Sequence, residues 1–434
     1  MRYTWIIVIA VVVAGALIAI MYSGVLEHQF HLINSAPQVT ISYPSNDASV
    51  SRLVMVSGTA HDPDGDNELV SVEIKIGDTN WATAEGTTLW SLDWNTNTGP
   101  DGTVTISVRA SDGKTYSPTK TVSVQVENQR AMTTGTHRWA VFIATANFPP
   151  DNQSKLGNGG LLLAEQMASY FIEHDGYDTN HTIILFDDGW IRADNGYGNK
   201  VQTLQERPHP YAITYGGATK DNVIATLDQV INESNHYKDS EVFLWFFNHG
   251  YGNPDSKNGG KILQSSALYL WDSLLTDKDL GQLLKPLTSK RVTVIVDACY
   301  AGGFADRTVA SLPTTIFLHS GIPKNGRVVI TGASKFDVGY ASTTQGPLFS
   351  LLWFEGLQGA ADGYRPGPLN LGRPTHLRFF KDGKISVEEA FFYAKYMLRT
   401  DKDLASYKGM RPQINDRYPS RLLNNGGLVL GQSK

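Results

Sequence analysis

Two residues able to do chemistry follow apolar, strand-like runs. His249 comes after VFLWFF and Asn248, with Gly250 behind it; Cys299 comes after VTVIV, Asp297 and Ala298, with Tyr300-Ala301-Gly302-Gly303 behind it. A cysteine nucleophile needs an imidazole to take its proton and main-chain N–H groups where the tetrahedral oxyanion forms. The glycines let the backbone approach closely enough to supply those groups. Taken singly, a buried cysteine is ordinarily a small hydrophobe and a lone histidine a satisfied polar group. Both residues at strand ends, in this order, point to catalysis. Cys299 is the chain's one cysteine, which excludes an intramolecular disulfide and multi-cysteine zinc sites.

The elements that must position them alternate. Apolar runs at Trp139–Ala144, Thr182–Phe186, Val242–Phe247, Val292–Val296 and Arg327–Thr331 are nearly uniform, as strands covered on both faces must be. Between them, Leu161–Glu173, Asn222–Asn235 and Asp277–Leu287 carry apolar residues at three- and four-residue steps, the last opened by Thr276 as a cap. Such alternation predicts an α/β sandwich, a mostly parallel sheet flanked by helices. In such sheets ligands and chemistry gather beyond the carboxyl ends of the strands, where both candidates lie.

At these residues the chain resembles the caspase-like cysteine peptidases, and among them the legumain family of asparaginyl endopeptidases, over Trp139–Trp353. "VFLWFFNHG" is similar to the family's strand ending in the catalytic His-Gly, and "VTVIVDACYAGG" to its strand ending in acid-Ala-Cys; the step of 50 residues between His249 and Cys299 agrees with the caspase spacing of about 50. The resemblance implies Cys299 as nucleophile, His249 as general base and acid, and the N–H groups of Gly250 and Cys299 as the oxyanion hole. "FIATAN" resembles the first strand and puts Asn147 where the family keeps an asparagine that orients the histidine. "ILFDDG", with Asp187 and Asp188, resembles a further strand end. "ITGASKFDVGYAS" resembles the segment that runs along the substrate, which makes Ser334 a substrate-binding residue.

The primary pocket departs from the family. Legumains line it with an arginine from the first helix, the acid two residues before the cysteine, and a second acid. Asp297 fills the middle place, but Leu161 and Pro347 stand where the other two belong. A buried carboxylate without a cationic partner is costly. On that argument Asp297 would favour a lysine or arginine of the substrate at least as well as asparagine.

Ahead of this domain, residues 36–128 break into alternating runs such as Val70/Val72/Ile74/Ile76, Val104/Ile106/Val108 and Val122/Val124/Val126, with turns at Asp64-Gly65, Asp101-Gly102 and Asp112-Gly113. Period two with one apolar face predicts antiparallel strands, here an all-β sandwich with Trp81, Trp90 and Trp94 offered to its core. The run resembles the immunoglobulin-like modules of prokaryotic surface proteins. Asp62, Asp64 and Asp66 could ligate Ca²⁺, though an acidic solvated turn accounts for them better, since no distal carboxylate can be assigned. Tyr3–Leu26 carries no charge, and residues 4–26 are expected to form a single transmembrane signal-anchor helix with Arg2 on the cytoplasmic side. Cell-membrane attachment, with the bulk of the chain extracytoplasmic, follows from that expectation.

The peptidase-like domain is placed at 138–356 and a helical extension packed on it at 357–434. There Ser386-Val387-Glu388-Glu389 reads as a capping box. A Ca²⁺ loop around Asp382 is rejected, because Arg378 and Phe380 occupy ligand positions. The length of 434 residues fits two or three domains; 37 Lys+Arg against 42 Asp+Glu give a net charge of -5, which offers no positive field to nucleic acid. The sequence therefore reads as a cysteine endopeptidase acting on peptides or proteins through a Cys-His dyad and a thioester, with no cofactor and no metal. A transamidase resolving the same thioester with an amine and a non-catalytic adhesion scaffold are the other two readings.

Overall fold

The computed structural model describes residues 34–129, 136–147, 155–251, 265–307, 319–366, 374–376, 381–419 and 427–432. They divide into two compact units, one drawn from the chain up to residue 125 and the other mainly from residue 126 onward, with residues 49–55 and 93–102 grouped with the latter. The expected membrane span at 4–26 lies outside the described residues. Among the described residues no helix is long and apolar enough to cross a membrane. The longest, at 16 residues, rises only about 24 Å against a hydrocarbon layer of about 30 Å. The fold class is corrected accordingly: among the described residues it comprises the β-rich and α/β units, and none of their helices is long and apolar enough to span a membrane.

The N-terminal region is antiparallel, as its period-two pattern predicts. Strands β1 (Gln38–Tyr43), β2 (Ser49–Val50), β3 (Leu53–His61), β4 (Ser71–Ile76), β5 (Ala82–Thr83), β6 (Leu89–Asn95), β7 (Gly102–Ser111) and β8 (Lys120–Val126) form two sheets, in the orders β1-β3-β6 and β2-β8-β7-β4-β5. Val72, Ile74, Ile106, Val108 and Trp90 are fully buried. Of the three tryptophans offered to the core only Trp90 is in it. Its ring lies where a Cβ on Gly58 would sit, so that position admits no side chain. Trp81 is half-buried, with the Arg109 guanidinium 4.3 Å from its ring centre.

The α/β unit is built on a seven-stranded sheet. Its strands are β9 (Arg138–Thr145), β10 (Thr182–Phe186), β11 (Thr214–Gly216), β12 (Glu241–Asn248), β13 (Arg291–Asp297), β14 (Arg327–Thr331) and β15 (Gln413–Asp416). The order is β11-β10-β9-β12-β13-β14-β15; every pairing is parallel except the last, where β15 runs antiparallel to β14. The C-terminal region thus supplies an edge strand to this sheet as well as a helix.

The uniform apolar runs have the expected cause. In β9, Trp139, Val141 and Ile143 join one hydrophobic cluster while Ala140, Phe142 and Ala144 join another on the opposite face. Helices α2 (Lys220–Ser234) and α3 (Asp277–Leu283) cover the first face; α1 (Gly159–His174), α4 (Leu348–Glu355) and α5 (Val387–Thr400) cover the second. Thr276 and Ser386 each close a complete capping box, with Asp279 and Glu389 as the reciprocal partners.

Helix α1 lies against the strand that leads to His249. A Cβ added to Gly160 would run into the ring of Phe247. Gly160→Ala therefore sets a gain in helix propensity of about 1 kcal/mol against overpacking of about 1–3 kcal/mol. The overpacking should win, lowering the midpoint of thermal unfolding by several degrees; an unchanged or raised midpoint would show that Phe247 yields freely.

Candidate active site

Register brings the sequence candidates to one edge of the sheet. In the parallel pair β12/β13, Phe247 faces Asp297, so two residues further along each strand come His249 and Cys299 at the same level. On the other side of β12, Asn248 faces Thr145, two residues before Asn147. Phe186 of β10 faces Ala144, and Thr331 of β14 faces Val296, which puts Asp187 and Ser334 just beyond the same edge. Five adjacent parallel strands therefore end in the five segments that carry the candidates.

Main-chain contact at the centre is close. A Cβ on Gly250 would coincide with the carbonyl oxygen of Cys299, so only glycine allows the His-Gly backbone to rest on the cysteine. His249 and Cys299 are both half-buried, and the His249 carbonyl accepts a hydrogen bond from Tyr269 N–H at 3.0 Å. Beyond the thiol the chain turns sharply: Tyr300 has φ 58°, a left-handed conformation costing a non-glycine residue roughly 1–2 kcal/mol. Ser266 holds that turn, its hydroxyl donating to the Tyr300 carbonyl and accepting from Gly303 N–H at 3.1 Å.

Burial pushes the Cys299 thiol above its ordinary range; the N–H of Gly339 opposes this, Asp297 adds to it, and the N–H groups of Cys299 and Gly250 oppose it in turn. Those last two are the donors expected to form the oxyanion hole, and they act on the sulfur. Gly339 was not singled out from the sequence beyond its place in the substrate-like segment. Its N–H donates to Sγ at 3.4 Å, and the thiol donates to its carbonyl oxygen at 3.7 Å.

Asn147 is fully buried. Its amide nitrogen donates to Asp187 Oδ2 at 2.6 Å and to Asn158 Oδ1 at 3.1 Å, and its main-chain N–H donates to Asp187 Oδ1 at 3.2 Å. The amide is thus anchored to the neighbouring strand end. Asp187 is pushed up to about 6 by burial, against the pull of the Ala146 N–H, which donates to it at 2.7 Å. Asp188, beside it, is paired with Arg192 through two bonds of 2.8 Å and with Lys200 at 2.9 Å.

The two residues assigned to substrate binding have partners inside the protein. Asp297 is buried; its Oδ2 accepts from Ser350 N–H at 2.9 Å and from Ser350 Oγ at 2.8 Å. Trp245 Nε1 donates to the same hydroxyl at 2.9 Å, and the Asp297 carboxyl is pushed up to about 6 by burial, which the two Ser350 bonds oppose. Ser350 lies in the first turn of α4, where unpaired N–H groups favour an acceptor. The helix-end donors of Ser350 thus offset part of the burial cost that the sequence argument assigned to a substrate cation. Leu161 is buried in the core and Pro347 pairs with Ala341 in a short hairpin. Ser334 is fully buried, its hydroxyl donating to the Asp337 carboxylate and accepting from Phe336 N–H at 3.2 Å.

In the acidic turn at 62–66, Asp66 Oδ1 accepts from Asp62 N–H at 3.0 Å and lies 2.7 Å from His61 Nδ1, and Asp64 Oδ2 accepts from Ser35 N–H at 2.6 Å. Among the described residues no group of three acidic, histidine or cysteine side chains could hold a metal ion.

Parts of the chain are similar to known families and solved structures. No curated protein matches the chain. Among solved structures, caspase-1 from Spodoptera frugiperda matches at 13% identity over 65% of this chain and 87% of its own, with a TM-score of 0.35. Fibronectin(III)-like modules of Clostridium thermocellum CbhA match at 22% identity over 23% of this chain, with a TM-score of 0.19, and the endo-beta-1,4-mannanase from Thermotoga petrophila at 16% over 22%, with a TM-score of 0.20. The chain spans only 50% and 20% of the length of those two. Residues 37–108 match the model for the bacterial Ig domain, and residues 137–348 match that for the caspase domain. The chain thus carries a stretch similar to the bacterial Ig domain, followed by one similar to the caspase domain of cysteine peptidases.

Proposed function

We propose that the chain is a cysteine endopeptidase with Cys299 as nucleophile and His249 as its base. The observation that carries this reading is the register: the two residues leave neighbouring parallel strands at one level, with Gly250 resting on the Cys299 main chain. Sγ attacks the scissile carbonyl carbon, and the thiol proton passes to His249. The oxyanion takes hydrogen bonds from the N–H groups of Gly250 and Cys299. The C–N bond then breaks, His249 gives its proton to the leaving amine, and water, deprotonated by His249, hydrolyses the thioester.

Within the caspase-like peptidases, the legumain resemblance rests on the His-Gly and acid-Ala-Cys strand ends. It does not extend to the asparagine pocket, since Leu161 is a core residue and Pro347 a hairpin residue. Asp297 acts as a positioning residue: by accepting from Ser350 it fixes the end of β13 to α4, and so fixes where Cys299 emerges. Asn147 likewise positions the end of β9.

Cys299→Ala and His249→Ala should each lower kcat/KM for peptide hydrolysis by roughly 10³-fold or more while leaving the circular dichroism spectrum unchanged. Asn147→Ala should be milder for activity and cost about 1–3 kcal/mol of stability, because the Asp187 carboxylate loses a buried donor. A folded Cys299→Ala protein with wild-type turnover would end the peptidase reading.

Asp297 gives a pH signature. Its folded carboxyl titrates at about 6 against 3.8 as a free group, so the protonated form is favoured by folding. That stability is fully present below pH 3.8 and is lost as the pH rises through 6, by on the order of 3 kcal/mol. Asp297→Asn removes the titration, so the variant should gain on the wild type in urea unfolding as the pH is raised from 4 to 7. The ratio of kcat/KM for matched peptides ending in Arg, Lys, Asn and Asp should stay the same in Asp297→Asn. A ratio that moves would show the carboxylate reading the substrate, as the unpaired-charge argument expects.

A further inference from the structure

The sulfur that must attack a peptide already has one against it. Gly339 N–H donates to Cys299 Sγ at 3.4 Å and the Gly339 carbonyl accepts the thiol proton at 3.7 Å. A reacting carbonyl carbon has to come within about 3–3.5 Å of the sulfur, and the nitrogen of Gly339 already lies at that distance.

The segment carrying Gly339 is held along its length. Lys335 is buried and attracted by Asp277 and Asp306. The Asp337 carbonyl accepts from Tyr300 N–H, next to the cysteine, at 2.8 Å, and the Tyr340 carbonyl accepts from Leu348 N–H at 2.9 Å. Two further holds come from the C-terminal region: the Tyr407 ring meets that of Tyr340 edge-on at 5.0 Å, and Arg411 forms a two-point ion pair with Asp337, its Nε at 2.7 Å from Oδ2. The outer side is solvated, Val338 and Tyr340 each being 38% exposed. The Arg411 side chain is 44% exposed and that of Asp337 10%, so water and salt reach the ion pair from the arginine side.

We propose that residues 337–340 are an autoinhibitory strap over Cys299, that the Asp337–Arg411 ion pair is its latch, and that a peptide substrate reaches the thiol only when the latch opens. The strap rests on the reading of Cys299 as nucleophile. Burial, which raises the thiol's affinity for its proton, agrees with a resting, unreactive sulfur.

The test is the rate of alkylation by iodoacetamide, followed by mass spectrometry. With one cysteine in the chain, the mass shift reports Cys299 alone. Arg411→Gln and the near-isosteric Asp337→Asn should each raise the second-order rate about 5- to 10-fold, with the fold checked by circular dichroism. In the wild-type protein, raising NaCl from about 10 mM to about 500 mM should accelerate alkylation severalfold, and the acceleration should vanish in Arg411→Gln. Tyr407→Ala, which loosens the strap without touching the ion pair, should also be faster. Folded variants that react at the wild-type rate or more slowly would overturn the strap. If either latch variant fails to fold, a flat salt titration of the wild type together with a wild-type rate in Tyr407→Ala would overturn it equally. Peptide hydrolysis measured in parallel separates the two ideas: faster alkylation with no cleavage by any variant removes the peptidase and keeps the strap, whereas Cys299-dependent cleavage with unchanged alkylation removes the strap alone.

Discussion

A parallel sheet covered on both faces confines polar chemistry to the ends of its strands, and the α/β unit depends on that confinement. Alternate residues of each central strand are spent on two separate hydrophobic clusters, so no side chain within a strand is available to a ligand. What remains is the carboxyl edge, and parallel register fixes how the residues there meet. A shift of one residue in β12 against β13 would send alternate side chains to the wrong cluster, so the same burial that stabilises the sheet holds His249 level with Cys299.

The edge also holds buried carboxyls. Asp187 and Asp297 lie one residue past β10 and at the last position of β13, both pushed up to about 6 by burial, and each is met by donors from an adjoining segment. They tie strand ends to neighbouring loops and helices at the points where apolar packing stops. Glu388 does the same at the start of α5: pushed up to about 8 by burial, it accepts from Leu428 N–H and ties the C-terminal residues to that helix.

Much of this was legible because it is local. Apolar runs, the residues that end them, and the capping residues Thr276 and Ser386 are sequence-adjacent features, and the elements they mark are found within one or two residues for most strands and helices. Strands β11 and β15 were not, because three and four residues at the sheet edges need no apolar run to be held. Size alone assigned Trp81 and Trp94 to a core, whereas Trp81 lies just ahead of β5 and packs against the Arg109 guanidinium. In the site, strand-end positions were readable, but the partners were not. Ser350 meets Asp297 from 53 positions away and Arg411 meets Asp337 from 74, distances over which sequence pattern carries no signal.

The antiparallel edge strand has a consequence for the order in which the chain is made. Every candidate residue of the site and of the strap, from Asn147 to Tyr340, precedes Tyr407, Arg411 and β15 in the sequence. At about 5–20 residues per second, roughly 4–15 s pass on the ribosome between synthesis of Gly339 and completion of Asp416. During that interval Asp337 has no Arg411 to pair with, and β14 has an open edge. Docking of β15 therefore couples two events of different kinds: it closes the exposed rim of the sheet, and it brings Arg411 to the loop that lies over the only sulfhydryl of the chain.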